Sequence, residues 1–275
     1  QADGVGSHRL IRPPSIQRGP LHGVAVLLLG LTGAGHPDAH DSSFGCFPTV
    51  GSNPEGVIIL GSLFHPERYH GHRRRPPFFE GWYFKLVDSS ERHRYAIIPG
   101  IFLSDDPDER HAFIQVLNGT NGNATYHRFA ADDFHAASDA FDVWIGPNHF
   151  WQEGFELQID DEQLRLSGRM ELVDLTPWPV TWRSLGIMGP YGFVPGMECY
   201  HGIVSMDHGI RGTLALNDRS VNFTGGRGYM EKDWGMAMPS AWVWMQSNHF
   251  EKEGTSITFS IADIPWGGNS FTGFL

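Results

Sequence analysis

Ionisable and aromatic side chains are concentrated between Gly225 and Phe250. This stretch contains three of the nine tryptophans of the chain and four charged residues: Trp234, Trp242, Trp244, Arg227, Glu231, Lys232 and Asp233. Such a mixture is typical of a pocket wall, where apolar surroundings shift the pKa values of ionisable groups. The alternative is a core strand whose charged residues form ion pairs at its end.

A second carboxylate lies among aromatic residues between Phe78 and Lys85. Glu80 is flanked there by Phe79, Trp82 and Tyr83. Removal from water raises the pKa of a carboxyl group, so Glu80 is a candidate acid that stays neutral. The equally weighted alternative is an ion pair between Glu80 and a cation such as Lys232 or Arg227.

Two histidine-containing segments are weaker candidates for chemistry. The segment His65–His72 contains three histidines and Glu67, but its spacing matches no standard zinc motif and favours a polar loop. Cys199 and His201 would share one face of a strand, which permits a thiolate–imidazole pair. Without a nucleophile motif around Cys199, we favour His201 as an acid or a hydrogen-bond donor to a ligand.

Short alternating strands position these residues. The segments 155–159 and 164–172 alternate apolar and polar residues around a turn, which predicts an antiparallel hairpin with one buried face. Asn-Gly pairs between residues 114–117 and 126–129 predict a second hairpin. Segments 141–145, 212–216, 221–223 and 255–261 are further predicted strands, and residues 130–141 leave room for one helical turn. The pattern predicts an all-β protein with antiparallel barrels or sandwiches in two units.

Composition restricts the partners. The 275 residues carry a formal net charge of −11, which disfavours nucleic acid as a ligand. The two cysteines, Cys46 and Cys199, are predicted to be free thiols.

Residues 1–60 are predicted to be a leader and linker. Arginines precede an apolar run at residues 24–31 there, in the order of a signal peptide or of a poorly ordered leader. The chain begins with Gln1 and ends in an apolar run, so we interpret it as a fragment.

The motifs together resemble the tocopherol cyclase family over residues 65–275. A Phe-Phe-Glu-Gly-Trp-Tyr-Phe element stands at residues 78–84, and Glu-Lys-Asp-Trp-Gly stands at residues 231–235. Met238-Pro239 and the Trp-x-Trp-x-Gln-x-Asn-x-Phe element at residues 242–250 follow. The plant-like members have Asn at the position of Asp233 and Phe at that of Met238. The segments at residues 187–189, 197–202 and 264–266 resemble those of the shorter microbial members more closely.

The resemblance implies two lipocalin-like β-barrels, at residues 61–182 and 183–275, with the second barrel lacking C-terminal strands. It also implies closure of a chromanol ring from a prenylated benzoquinol, an intramolecular addition without metal or cofactor. Alkene protonation needs an acid in an apolar site, and aromatic faces stabilise the resulting cation. We expect Glu80, Asp233 or Glu231 to be the acid, and we expect Glu80 and Asp233 to face one cavity between tryptophans. The expected substrate-binding residues are Trp82, Tyr83, His201, Lys232, Trp234, Trp242, Trp244 and Gln246.

Two alternatives use the same scaffold: a hydratase or cyclase of another terpenoid, and a non-catalytic carrier of an isoprenoid. In each case the partner is a lipophilic small molecule, and a peripheral membrane contact is expected. The expected location is the plastid for a photosynthetic eukaryote and the cytoplasm otherwise. The sequence does not indicate an oligomeric state.

Overall fold

The computed structural model describes residues 25–27, 64–193, 197–239, 241–266 and 269–274, and more than half of these residues lie in antiparallel strands. The strands are β1 (Ala25–Leu27), β2 (Phe78–Val87), β3 (Arg94–Leu103), β4 (His111–Asn118), β5 (Asn123–Ala130), β6 (Phe134–Ala136), β7 (Asp142–Ile145), β8 (Asn148–Trp151), β9 (Gly154–Asp160), β10 (Arg165–Val173), β11 (Cys199–Leu216), β12 (Arg219–Asn222), β13 (Gly226–Gly235), β14 (Ala241–Ser247), β15 (Ile257–Trp266) and β16 (Asn269–Phe274). Three short 3₁₀ segments cover Pro107–Glu109, Ala131–Asp133 and Gly186–Phe193. The predicted all-β antiparallel class is confirmed.

Twelve strands form one large sheet. Its order is β5-β4-β3-β2-β13-β11-β10-β9-β8-β7-β6, and β12 pairs with β11. The apolar faces of these strands share one core, to which Ile114 of β4, Phe150 of β8 and Leu214 of β11 all contribute. Because strands from both ends of the order meet in this core, the sheet curls around it.

The hairpins follow the alternation of the sequence. In β9 every second side chain from Phe155 to Ile159 is buried, and β10 pairs with it from Arg165 to Glu171. β4 and β5 pair from His111 to Asn118 around the Asn-Gly turn. One face of each strand packs on the core while the other faces solvent, which is the usual arrangement of an antiparallel sheet.

The centre of the sheet differs, because β13 is buried along nearly its whole length. One of its faces packs on the core, and the other is covered by a second sheet of order β1-β14-β15-β16. Trp244 of β14 packs against Tyr229 of β13 in this layer. A strand covered on both faces must give every charged side chain a partner. The strand β13 contains Glu231 and Lys232, which are both buried.

The predicted boundary between two barrel units, at residues 182 and 183, stays a prediction. In the described part of the chain, β11 and β13 lie between β10 and β2, so strands from both sides of that division share one sheet. No described strand pairing joins the edges β5 and β6, so the large sheet is not closed into a barrel.

The predicted leader and linker, residues 1–60, lie outside the described residues except for Ala25–Leu27, which form β1 against β14. Within the described residues, no helix has both the length and the apolar character that a membrane crossing requires.

Candidate functional site

The strand β13 sends its predicted site residues to opposite faces. In its pairing with β2, Lys232 lies opposite Trp82 and Trp234 opposite Glu80, whereas Asp233 lies opposite Gly81. Directly paired residues share a face and neighbours in sequence alternate, so Glu80 and Asp233 are on different faces. The expectation that these two carboxylates face one cavity is wrong for this reason.

The inner face holds an ion pair between Glu80 and Lys232, both with fully buried side chains. Lys232 Nζ lies 2.6 Å from Glu80 Oε1 and 3.0 Å from His70 Nδ1. It also donates to the carbonyl oxygen of Arg68. The backbone N–H of His70 donates to both carboxylate oxygens of Glu80, at 3.1 and 2.9 Å. The structure therefore forms the alternative that the sequence left open, a paired Glu80.

Aromatic rings enclose this pair. Lys232 Nζ lies 4.7 Å from the ring centroid of Trp234 and 5.2 Å from that of Trp82. The indole N–H of Trp82 donates to the carbonyl oxygen of Glu67 at 2.9 Å. A desolvated ammonium against indole faces is stabilised by cation–π attraction.

The protonation of the inner cluster follows from its hydrogen bonds. Burial raises the pKa of Glu80 and lowers that of Lys232 to about 8, and the attraction between the two charges opposes both shifts. Burial and the Lys232 charge hold the pKa of His70 well below its usual value. A neutral His70 accepts from Lys232 at Nδ1 and donates from Nε2 to the carbonyl oxygen of His65 at 3.0 Å. Glu80 accepts a hydrogen bond from His70, and Lys232 donates one to Arg68. The inner cluster therefore anchors the segment before β2, residues 64–77, to the sheet.

The outer face holds a different cluster, formed by His201 of β11 with Glu231 and Asp233 of β13. His201 pairs directly with Asp233 in the ladder, and its Nδ1 lies 2.7 Å from Asp233 Oδ1. Its Nε2 lies 3.3 Å from Glu231 Oε2. Burial alone would lower the pKa of His201, but the Asp233 and Glu231 carboxylates raise it well above its usual value. The cluster therefore holds an imidazolium between two carboxylates.

The three members differ in exposure. The side chain of Asp233 is 33% exposed, whereas His201 and Glu231 are 11% and 6% exposed. Their ligand atoms lie within 4.8 Å of one another, which is close enough to suggest a metal. The two ring nitrogens point in diverging directions, each toward a different carboxylate, and one ion cannot occupy both positions. The arrangement thus favours a hydrogen-bonded imidazolium.

Aromatic side chains surround the outer cluster. Tyr229 donates its hydroxyl to Glu231 Oε2 at 2.5 Å, and the indole N–H of Trp244 donates to the same oxygen at 3.1 Å. Tyr83 packs edge-on against Trp244, with ring centroids 5.2 Å apart. Burial and the nearby Glu231 raise the pKa of Tyr229 well above its usual value, so its hydroxyl stays neutral and keeps donating. Trp242 packs at the margin of the same apolar group.

A pocket of about 290 Å³ adjoins this group. Its lining includes Phe64, Trp178 and Ile203. Ile203 belongs to the buried group with Tyr229, and Trp178 packs against that group. A volume of this size accommodates a substituted aromatic ring.

Gln246 lies apart from both clusters, in a network around a buried lysine. Lys85 Nζ donates to Gln246 Oε1 at 2.6 Å and to Asn248 Oδ1 at 2.8 Å. Asn248 donates in turn to Asp207 Oδ1 at 2.7 Å, and Asp207 is paired with Arg227. Burial lowers the pKa of Lys85 to about 7.

The two weaker candidates form other contacts. In the segment His65–His72, His65 bonds Glu67, His70 joins the inner cluster, and His72 Nε2 lies 3.0 Å from the carbonyl oxygen of Ala137. The three histidines thus have separate partners, as expected for a polar loop. Cys199 is a free thiol whose Sγ contacts the carbonyl oxygen of Tyr200 at 3.6 Å, and burial raises its pKa well above its usual value. No thiolate–imidazole pair forms, because His201 Nδ1 is occupied by Asp233.

Sequence reasoning missed Tyr229, His70 and Lys85. The alternation of β13 could have identified Tyr229, because Tyr229 stands two positions before Glu231 and therefore lies on the same face. His70 and Lys85 acquire their roles through contacts across more than 150 positions of sequence, which no local pattern shows.

The fold and the site define a class: an antiparallel β protein with ionisable groups buried among aromatic rings between two sheets. Residues 191–262 match the family model described as tocopherol cyclase-like. This match contains His201, Tyr229, Glu231, Asp233 and Trp244 and confirms the resemblance seen in the motifs.

The solved structures that resemble this chain are distant from it in sequence. A provisionally assigned AttH from Nitrosomonas europaea is 13% identical, with 71% of this chain and 67% of that chain covered and a TM-score of 0.39. Kievitone hydratase from Nectria haematococca is 11% identical, with 70% and 59% covered and a TM-score of 0.45. CghA, solved with Sch210972, is 11% identical, with 71% and 59% covered and a TM-score of 0.39. The chain thus spans about three fifths of the last two proteins. No curated protein matches at a significant level.

Proposed function

We propose that this protein is a tocopherol-cyclase-like enzyme that closes a chromanol ring on a prenylated benzoquinol by acid catalysis. The observation that carries the proposal is the His201 imidazolium held between Asp233 and Glu231 beside aromatic rings. All three residues lie within the stretch that matches the family model.

In the proposed reaction, the proton reaches the substrate through Asp233. Asp233 is the most exposed member of the outer cluster and lies 2.7 Å from His201 Nδ1. It takes the Nδ1 proton of His201 and delivers it to the less substituted carbon of the prenyl double bond. The C=C π bond is consumed in a new C–H bond, and a tertiary cation forms on the neighbouring carbon. His201 is then neutral.

The site stabilises that cation in two ways. Proton transfer leaves two carboxylates, Asp233 and Glu231, beside the developing positive charge, and fixed opposite charges stabilise a transition state strongly in a site shielded from water. The faces of Tyr83 and Trp244 add cation–π attraction. Tyr229 and Trp244 hold Glu231 in position through their hydrogen bonds.

Ring closure returns the proton. The phenol oxygen forms the new C–O bond to the tertiary carbon, and its proton passes to the Asp233–His201 pair. Atoms and charge balance without a metal, a cofactor or water, so the net change is an isomerisation. In this proposal the inner cluster is structural, and Glu80 does not donate the proton because it is bound to Lys232 and His70.

The test is turnover of 2-methyl-6-phytylbenzoquinol, measured as chromanol formed. Asp233→Asn and His201→Gln should each lower the rate by about 10²- to 10⁴-fold, the usual contribution of a positioned acid, while the affinity for the quinol stays the same. Asp142→Asn is the matched control, because Asp142 also bonds a histidine, His149, at 3.1 Å but on another part of the sheet.

Other outcomes separate the alternatives. Tight binding of prenyl quinols with no product would indicate a carrier, and a tertiary alcohol in place of the chromanol would indicate a hydratase. Full turnover in Asp233→Asn would contradict the assignment of the acid.

A further inference from the structure

The solvent-facing side of β7 and β8 carries stacked aromatic rings. Val143 and Phe150 of these strands are buried in the core, so their sequence neighbours Trp144 and His149 lie on the opposite face. Trp144 and His149 are directly paired, and their rings stack with centroids 3.9 Å apart and planes 9° from parallel. Trp144 is 44% exposed. These rings add nothing to the core beneath the sheet, and exposed aromatic area of this kind is typical of an interaction surface.

The row of planar groups continues over Trp151 and Arg169. Trp151 stands two positions after His149 on the same face of β8, and the two ring centroids are 4.8 Å apart with the planes tilted by 38°. The guanidinium of Arg169 in β10 lies 4.9 Å from the Trp151 ring centroid. Gly154 of β9, the direct partner of Trp151, leaves room for this contact, because a Cβ there would lie 3.0 Å from the indole. Three rings and a guanidinium thus form one row across four strands.

A pocket of about 290 Å³ adjoins this row. It is lined by Asp142, His149, Trp151 and Arg169. Asp142 Oδ1 lies 3.1 Å from His149 Nε2, which fixes the imidazole beside the pocket. The side chains of Asp142 and Arg169 are 46% and 58% exposed, so both have hydrogen-bonding capacity left for a ligand. The lining belongs to β7, β8 and β10, whereas β2, β11 and β13 carry the inner and outer clusters.

The charges around the pocket restrict the class of ligand. Arg169 Nη1 lies 3.8 Å from Glu156 Oε2, and its Nε lies 3.8 Å from Glu171 Oε1. Together with Asp142 these are three carboxylates to one guanidinium, an arrangement that repels a phosphate or another anion. A cationic ligand is disfavoured as well, because Arg169 already occupies the cation–π position on Trp151.

Hydrogen bonding restricts the class further. A wholly apolar ligand would remove water from Asp142 and Arg169 and return no hydrogen bonds, which costs free energy. A neutral ligand with an apolar face and hydroxyl groups around its edge meets every requirement of the pocket. A sugar ring has this form.

We propose that this pocket binds a neutral pyranose ring of a carbohydrate. In a β-glucoside every ring substituent is equatorial, so both faces of the ring carry C–H groups that pack against the rings of Trp151 and His149. Hydroxyl groups at the edge of the sugar donate to Asp142 and accept from Arg169. A volume of about 290 Å³ accommodates one such ring. The inference goes beyond the proposed function and does not depend on it.

The experiment is calorimetric titration of the full chain with cellotetraose, a chain of β-linked glucose units. The unmodified protein should bind it, and Trp151→Ala should weaken binding by on the order of tenfold, because the apolar wall of the pocket is lost. Arg169→Met is the second variant: its side chain is exposed, so the fold is kept, and binding should weaken by a similar factor.

Trp182→Ala is the matched control. Trp182 is 72% exposed and carries the guanidinium of Arg183 at 4.4 Å from its ring, so it reproduces the exposed indole–guanidinium contact without lining the pocket. This variant should bind cellotetraose as the unmodified protein does.

Several results would overturn the proposal. These are absence of cellotetraose binding, an equal loss in Trp182→Ala, and tighter binding of adenosine monophosphate or choline, which would assign the pocket to an anion or a cation. Self-association that Arg169→Met abolishes, without any sugar binding, would make this face an interface between copies of the chain. The titration needs no turnover measurement, so the carbohydrate site and the proposed cyclase activity stand or fail separately.

Discussion

His201 Nδ1 lies 2.7 Å from Asp233 Oδ1 across directly paired positions of β11 and β13. This register turns the second ring nitrogen toward Glu231, which stands two positions earlier on the same face. Burial opposes protonation of His201, but the two carboxylates raise its pKa well above the usual value, and this sets the pH dependence of the site.

The rate of cyclisation should stay level through neutral pH and fall on the alkaline side. The acid must be protonated, and the raised pKa of His201 moves its loss of a proton above the usual value of 6.5. The raised pKa also makes His201 stabilise the fold below pH 6.5, a contribution that is lost as pH rises through the folded-state pKa. A pH–rate profile and an NMR titration of the imidazole measure both effects. An inflection below pH 6.5 would contradict the assignment.

Lys232→Met should lower the free energy of unfolding by about 3–5 kcal/mol, because it leaves Glu80 charged, buried and without its counter-ion. The double variant Glu80→Gln with Lys232→Met should recover much of that loss. Urea unfolding followed by tryptophan fluorescence gives the values. Arg165→Met is the control: its partner Asp218 is 92% exposed, so breaking that pair should cost at most about 1 kcal/mol. Equal losses in Lys232→Met and Arg165→Met would show that the inner pair is not an anchor.

The protein should lose stability between pH 6.5 and about pH 4 because of His208. Burial lowers the pKa of His208 from 6.5 to about 4, and its Nε2 has no hydrogen-bond partner among the described residues. The unfolded chain binds a proton in this window that the folded chain does not, so unfolding becomes easier as pH falls. The effect amounts to about 3 kcal/mol at most. His208→Asn should reduce the slope of this part of the stability profile without abolishing it, because burial also lowers the pKa values of His70 and His249. An unchanged slope would place the titration elsewhere.

Gly100→Ala should be far more costly than Gly81→Ala, although the two glycines pair with each other between β2 and β3. A Cβ on Gly100 would lie 2.4 Å from the Phe113 ring and 2.6 Å from the carbonyl oxygen of Glu80. The nearest atom to a Cβ on Gly81 is 3.5 Å away, an ordinary contact. We expect a loss of about 1–3 kcal/mol for Gly100→Ala and less than about 1 kcal/mol for Gly81→Ala, from thermal and urea unfolding.

Local strands were predictable from the sequence because alternation and turn residues act over a few positions. The segment 155–159 lies in β9, and the segment 164–172 lies in its pairing partner β10 from residue 165 onward; the Asn-Gly turn joins β4 to β5. The possible helical turn at residues 130–141 is present as the 3₁₀ segment Ala131–Asp133.

Long-range pairing was not predictable in the same way. The ladder between β2 and β13 joins residues about 150 positions apart, and a shift of one residue would reverse every face assignment. Sequence reasoning predicted that Glu80 and Asp233 share one cavity, because both are carboxylates beside tryptophans. The register separates them, so Glu80 becomes half of an ion pair and His201 takes a central position.

The alternation of β13 has a consequence for a mutational scan of the protein. Substitutions at Met230, Lys232 and Trp234 should reduce the amount of folded protein in a cell, because these side chains build the inner face. Substitutions at Glu231 and Asp233 should leave abundance comparatively high and remove function. Abundance and activity scores should therefore alternate with a period of two along residues 230–234, so the scan itself would reveal which residues of β13 share a face.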